Sequence, residues 1–362
     1  MNSHPADMAH LLRVDRSTAT PVGETTMSAQ RLTETAHLEQ WIVQHPDVVG
    51  DGLKVIATQF NRWASVEGRP AREALDILAL SSSGQTVVIE LKRGSDRRVH
   101  LQAMTYGALV AGFDKNMLAE AHAHWLSRNG SPTSSHEALE HLDDHLESGW
   151  DDEILKLPRL VLVAEAFPDQ VLTTVQWLTE TAADGLEIEC HEHRLFRDLS
   201  GTFVTFRKLF PVENLEGRTL VPAPTVDTDS VRKRIATKER RARSAKVIAE
   251  RGGIPNDARI QLSLEAQVAP AVVAEIDTWL DEVPDRRSVS WINDPVRPLR
   301  WAAAENPDEQ WTLTALRDEI FTKAGFDKPS FSAADAWNYD GQSLYWLAED
   351  LLNHESAGER ER

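Results

Sequence analysis

Two hydrophobic periods alternate through the first part of the chain. Period-two alternation or short apolar runs predict strands over residues 55–59, 75–81, 86–92, 160–164, 186–194 and 202–207. A period of three to four predicts helices over 33–45, 101–111 and 169–183. Strands interleaved with helices imply a mixed α/β architecture. Ser82-Ser83-Gly84-Gln85 separates two of the strands, and its glycine suits the left-handed position of a three-residue hairpin loop. With the loop at 82–84, Asp76 falls opposite Glu90. Residues 259–355 hold six of the eleven tryptophans and predicted helices over 269–280 and 312–324, as expected of a smaller α+β accessory domain built around an aromatic core.

Composition narrows the class. A length of 362 residues suits two or three domains. Cys190 is the one cysteine, so neither an intramolecular disulfide nor a cysteine-based zinc site can form, which favours a cytoplasmic location. Apolar runs such as 106–113 and 160–164 fall short of the roughly 18 to 20 residues that cross a bilayer, so no membrane partner is expected. Residues 1–30 are rich in Thr, Ser, Ala and His and read as a disordered leader, with Met27 an alternative start.

The net charge of −18 argues against a surface coated with phosphate-binding groups, but the charge is segregated. Residues 231–251 carry nine Lys or Arg against Glu239 and Glu250. They lie between the Pro-containing stretch 220–225 and Gly252-Gly253-Ile254-Pro255, so 220–256 reads as a basic linker or helix dividing the chain. Residues 116–155 carry nine acidic residues, with Arg128 inside and Lys156 just beyond. Together with His122, His124, His136, His141 and His145 they read as a solvated helical insertion with surface histidines. Those histidines lack ligand spacing, and the two-residue spacing in His191-Glu192-His193 is common by chance, so neither set is read as a metal site.

The chemistry concentrates on the hairpin. Glu90 and Lys92 share one face of their strand while Val87, Ile89 and Leu91 take the other. Asp76, Glu90 and Lys92 then converge on otherwise apolar strands, which is costly unless the charges pair or hold a cation. Two carboxylates on Mg²⁺ leave the rest of its octahedral shell to water and phosphate oxygen.

Asp76 followed fourteen residues later by Glu90-Leu91-Lys92 resembles the D…(D/E)-x-K signature of the PD-(D/E)XK nuclease superfamily. Glu39 stands where that superfamily often places an acidic residue on its first core helix. The run 37–59 (HLEQWIVQHPDVVGDGLKVIATQ) resembles the opening of NucS-like nuclease domains, with Gln59 facing the cleft. Gln102 and Tyr106 resemble the Q-x-x-x-Y motif of RecB-like members, at a spacing that puts both on one helical face. The resemblance covers residues 33–215, although the acidic insertion and the long lead at 68–73 depart from a minimal core.

The resemblance implies a restriction-endonuclease-like core and Mg²⁺ or Mn²⁺ on Asp76 and Glu90, with Glu39 ligating directly or through water. Lys92 would stabilise the transition state, and Gln102 and Tyr106 would support the site or contact DNA. The expected activity is hydrolysis of DNA phosphodiesters, in repair or in defence against foreign DNA. The alternative is a catalytically inactive nuclease-fold protein that binds DNA or regulates a partner. Arg93, Arg97 and Arg98 beside the motif, and Arg240, Arg241 and Arg243 in the basic segment, are the expected phosphate contacts. A homodimer is compatible with this reading.

Overall fold

The computed structural model describes residues 10–61, 74–182, 186–211, 230–306 and 308–358. The first nine residues of the leader, the lead at 68–73 and the breaker at 220–225 lie outside these.

A mixed sheet organises the first part of the chain. β3 (Leu53–Phe60), β4 (Leu75–Ser81) and β5 (Thr86–Lys92) form an antiparallel meander. β5, β6 (Arg159–Ala164) and β7 (Glu187–Asp198) then run parallel, and β8 (Gly201–Phe210) returns antiparallel to β7. Parallel neighbours need crossovers. Between β5 and β6 these are α2 (Val99–Val110), α3 (Lys115–Arg128), α4 (Ser135–Asp143) and α5 (Asp152–Leu155), and between β6 and β7 it is α6 (Asp169–Thr181). Both sheet faces are therefore covered. Val88, Leu160 and Leu162 pack with residues of α2, α3 and α6 on one side. Val87, Ile89 and Val161 pack on the other with Leu38 and with Ile42 of α1 (Glu39–Gln44).

Two expectations are corrected. Residues expected in a disordered leader form a hairpin, β1 (Leu11–Asp15) and β2 (Thr18–Thr25), and β2 pairs with β7 at Gly23↔Arg197 through Thr25↔Leu195. Met27 is fully buried behind it. The acidic stretch 116–155 is a structural layer rather than a solvated insertion, because Leu118, Leu142, Leu146 and Leu155 enter the main core. Its charge decorates one side of helices whose other side is apolar. Two of its histidines are internal: the His122 ring bonds the Ile56 carbonyl, and the His145 ring bonds those of Gly52 and Leu80. Burial pushes both down to about 4, so they are neutral.

The basic segment forms α7 (Ser230–Ala242) and α8 (Ser244–Arg251), with Gly252 closing α8 in the left-handed conformation. Ala245 and Ile248 of α8 enter a second core with Trp291, Trp301 and Trp337, each at most 1% exposed. That core lies against a second sheet, in the order β12 (Gln310–Trp311), β11 (Leu299–Trp301), β10 (Val289–Trp291), β9 (Arg259–Leu262), β13 (Trp337–Tyr339) and β14 (Gln342–Ser343). It is flanked by α9 (Pro270–Asp281), α10 (Leu313–Lys323), the short α11 (Ala333–Ala336) and α12 (Leu344–Gly358). Trp346 departs from the core role and stays exposed. Among the described residues no helix is long and apolar enough to cross a membrane.

Candidate active site

The hairpin register builds the site. β4 and β5 pair from Ile77↔Ile89 to Leu80↔Thr86 across a loop in which Gly84 takes φ +90°. One step further along this register Asp76 stands opposite Glu90, on the face shared with Leu78 and Val88. Asp76 is held from two directions: the Leu91 amide donates to its Oδ2 at 2.8 Å, and Gln59 Nε2 donates to Oδ1 at 3.2 Å. The same Nε2 donates to Glu39 Oε2 at 2.6 Å. One amide therefore bridges two carboxylates.

Gln59 reaches this place through irregular backbone. The β3–β4 register slips by one residue between Val55 and Ala57, and Gln59 adopts φ +48°. A non-glycine in the left-handed region costs about 1–3 kcal/mol and persists where surrounding contacts enforce it. Here they are the two carboxylates.

Lys92 Nζ donates to Glu90 Oε1 at 2.8 Å, while Glu90 Oε2 is buried without a hydrogen-bond partner. Glu90 and Glu39 are each only 2% exposed. Burial, reinforced by the charge of Asp76, pushes the Glu90 carboxyl up to about 7. Burial also raises Asp76 against the opposing pull of the Leu91 amide and Lys92, and it raises Glu39 against the pull of Gln59. Burial disfavours the charge of Lys92, but its bond to Glu90 and the charges of Glu90, Asp76 and Glu34 outweigh that and hold its pKa above the ordinary value. The cluster thus carries carboxylates that are expensive to ionise and an ammonium that stays charged.

A divalent cation fits the Asp76–Glu90 pair by this chemistry. It would give the orphaned Glu90 oxygen a partner and favour ionisation of both groups. Mg²⁺ asks for one or two carboxylates and completes its shell with water and phosphate oxygen. Among the described residues no group of three His, Cys, Asp or Glu is gathered to hold a metal ion, and Glu39 is joined to Asp76 through Gln59.

The Tyr106 hydroxyl donates to the Ala74 carbonyl at 3.0 Å and so fastens the strand entry two residues before Asp76. Gln102, one turn earlier on α2, is exposed and, among the described residues, bonds none of the cluster. Arg93, Arg97 and Arg98 are exposed immediately beyond Lys92. The arginines of α7 and its junction with α8 are placed differently. Arg241 pairs with Asp335 at 2.8 Å and lies over the Tyr345 ring, and Arg243 lies 3.6 Å from Asp51. Arg240 alone of the three is exposed without an ion-pair partner among the described residues.

Sequence reasoning missed Glu34 and His193. Residues Glu34–Leu38 form a π-helical turn whose closing bond runs from the Glu39 amide to the Glu34 carbonyl. The i→i+5 closure makes this turn wider than an α-helical one, so the position of Glu34 does not follow from an α-helical reading of residues 33–45. Nothing in residue type marks that turn. Glu34 Oε1 accepts from the Arg93 amide at 2.8 Å, and His193 Nε2 bonds the Lys92 carbonyl at 3.1 Å. The His-Glu-His triplet carried a signal, but for a different chemistry.

No protein-family model matches the chain, and no curated protein matches it. Two solved structures are similar to part of it. A repair endonuclease from Pyrococcus abyssi is 18% identical over 42% of this chain and 44% of its own, at a TM-score of 0.22. The structure of an EndoMS complex with double-stranded DNA is 20% identical over 43% and 44% respectively, also at a TM-score of 0.22. The chain therefore spans less than half the length of either solved chain.

Proposed function

We propose that the protein is a metal-dependent nuclease that hydrolyses phosphodiester bonds in DNA. The observation that carries this reading is the convergence of Asp76, Glu90 and Lys92 at one end of a hairpin, with one Glu90 oxygen buried and unpartnered. A structural ion pair needs only Glu90 and Lys92. A second, half-buried carboxylate beside them, Asp76, is expensive unless a cation offsets it.

Asp76 and Glu90 would hold Mg²⁺ or Mn²⁺, with Glu39 acting directly or through water. Bound there, the ion supplies Lewis acidity toward a phosphate oxygen and a water of lowered pKa. The residues do the rest. Gln59 and the Leu91 amide fix the Asp76 carboxylate, so its geometry needs little reorganisation when substrate enters. Lys92, kept charged, orients the attacking water and counters charge building on the phosphorane-like transition state. Tyr106 holds the entry to β4, while Arg93, Arg97 and Arg98 contact phosphates at the rim. In-line attack leaves a 5′-phosphate.

The test is incubation of a panel of single-stranded, duplex, branched and mismatched DNA with Mg²⁺ or Mn²⁺. Wild type is expected to cut at least one substrate, and Lys92→Ala to lose about 10²–10⁴-fold in rate. Equal cleavage by the two proteins rules out this site. An inert wild type that binds DNA would favour the nuclease-fold binding module instead.

A further inference from the structure

The two residues that sequence reasoning missed act on one peptide group. The Lys92 carbonyl and the Arg93 amide belong to the same planar unit, the link at which the chain leaves β5. Glu34, from the π-helical turn, takes the Arg93 N–H at 2.8 Å, and His193, from β7, bonds the Lys92 carbonyl at 3.1 Å. A carbonyl can only accept, so His193 Nε2 is the donor and its ring is fixed in that orientation. His193 is fully buried.

We propose that Glu34 and His193 are positioning residues that clamp the Lys92–Arg93 peptide unit and thereby set where the Lys92 ammonium points. The proposal rests on the nuclease reading for its catalytic consequence, while the clamp itself is independent of it. The need for a clamp follows from the topology. β6 stops pairing with β5 at Lys92↔Ala164, and β4 pairs with β5 only from Ile89 back toward the loop. Beyond Glu90, Asp76 takes the Leu91 amide, and the next peptide groups have no strand on that side. The next backbone tie on the β6 side comes two residues later, where the Glu165 amide donates to the Gly94 carbonyl at 3.1 Å, so the Lys92–Arg93 unit itself is held by Glu34 and His193. Glu34 and His193 approach from separate elements and bond opposite edges of the peptide plane. Both its rotation and its displacement are then restrained, and the Nζ–Glu90 distance of 2.8 Å is kept in register with Asp76. Displacements of about 1 Å in such supports cost about 10²-fold in rate, and loss of an outer-shell partner in metal sites typically costs 10–100-fold.

Two readouts on the full chain test the proposal. Hydrogen exchange of the Arg93 amide reports the clamp whether or not the protein cuts DNA. Glu34→Ala is expected to accelerate that exchange at least about tenfold while amides in the middle of β5 stay protected. Unchanged exchange overturns the clamp. Steady-state cleavage reports the consequence: Glu34→Ala and His193→Ala are expected to lower kcat about 10–100-fold with KM within about twofold. Glu34→Gln and His193→Gln, which keep an acceptor and a donor, are expected to recover most of it. An Arg93 amide set free with kcat unchanged overturns the positioning role. Should wild type cut nothing, the nuclease reading and the catalytic consequence fall together, and exchange at Arg93 still decides the clamp.

Discussion

Gln59 shows how one side chain can set the geometry of a charged cluster. Its amide serves Glu39 and Asp76 together, and the cost is a backbone held at φ +48°. Removing the amide leaves the buried Glu39 and half-buried Asp76 carboxylates without a shared donor, an expected loss of about 1–3 kcal/mol. The strain adds a second, separable effect. At an ordinary strand position glycine is less stable than alanine by about 0.5–1 kcal/mol, but a left-handed residue reverses that order. Gln59→Gly is therefore expected to be more stable than Gln59→Ala by about 1 kcal/mol in urea unfolding, with both below wild type. Equal or inverted stabilities would mean that Gln59 does not occupy the left-handed region. The convergence of Asp76, Glu90 and Lys92 was legible because strand alternation and hairpin register are set by local residue types. The contribution of Glu34 was not, because a π-helical turn arises from how the chain packs over the sheet.

The strands and helices that carry the site were legible for a similar reason. β4 and β5 have the expected limits because each is a short apolar run ended by polar residues and a glycine loop. Sequence and structure part where charge suggests exposure. The acidic stretch spreads its carboxylates over helices whose apolar residues are too widely spaced to stand out, yet Leu118, Leu142 and Leu146 are wholly buried. The basic helix errs in the same sense. Read alone, its arginines suit phosphates, but folding sets Arg241 on Asp335 and the Tyr345 ring. Its side chain is one-third exposed, so truncation to Ala is expected to cost about 1 kcal/mol of stability and to leave the salt dependence of DNA binding unchanged. Arg97→Ala and Arg98→Ala should do the reverse. Removing a guanidinium that pairs with phosphate weakens binding and lowers the slope of log K against log salt by about 1, with unfolding unaffected. Fluorescence titrations at several salt concentrations would show it. An unchanged slope in both rim variants removes them from the DNA path.

At the scale of the whole molecule, Glu147 ties the two sheets together. Its amide donates to the Ser82 carbonyl in the loop between β4 and β5, at 3.0 Å. Its carboxyl takes bonds from the Ser332 hydroxyl and, at 3.4 Å, from the Ala334 amide at the start of α11. The hairpin carrying Asp76 and Glu90 is thus fastened to the tryptophan-rich unit through one buried acid. Burial, opposed by Ser332 and by the charge of Arg317, pushes that acid from 4.5 up to about 7. A carboxyl with a higher pKa in the folded state binds its proton more tightly there than in the unfolded chain. Its contribution to stability is then complete below pH 4.5 and is lost as pH rises through 7. The interval corresponds to on the order of 3 kcal/mol. Glu147→Gln keeps a neutral group at the junction and should remove this slope. Glu90 also titrates near 7, but it does so in both proteins and cancels in the difference. Denaturant unfolding of wild type and Glu147→Gln at pH 5, 6, 7 and 8 should therefore give a wild-type stability that falls relative to the variant across the series. A difference that stays flat would mean that Glu147 is ionised throughout, and that the junction is held by charge rather than by a shared proton.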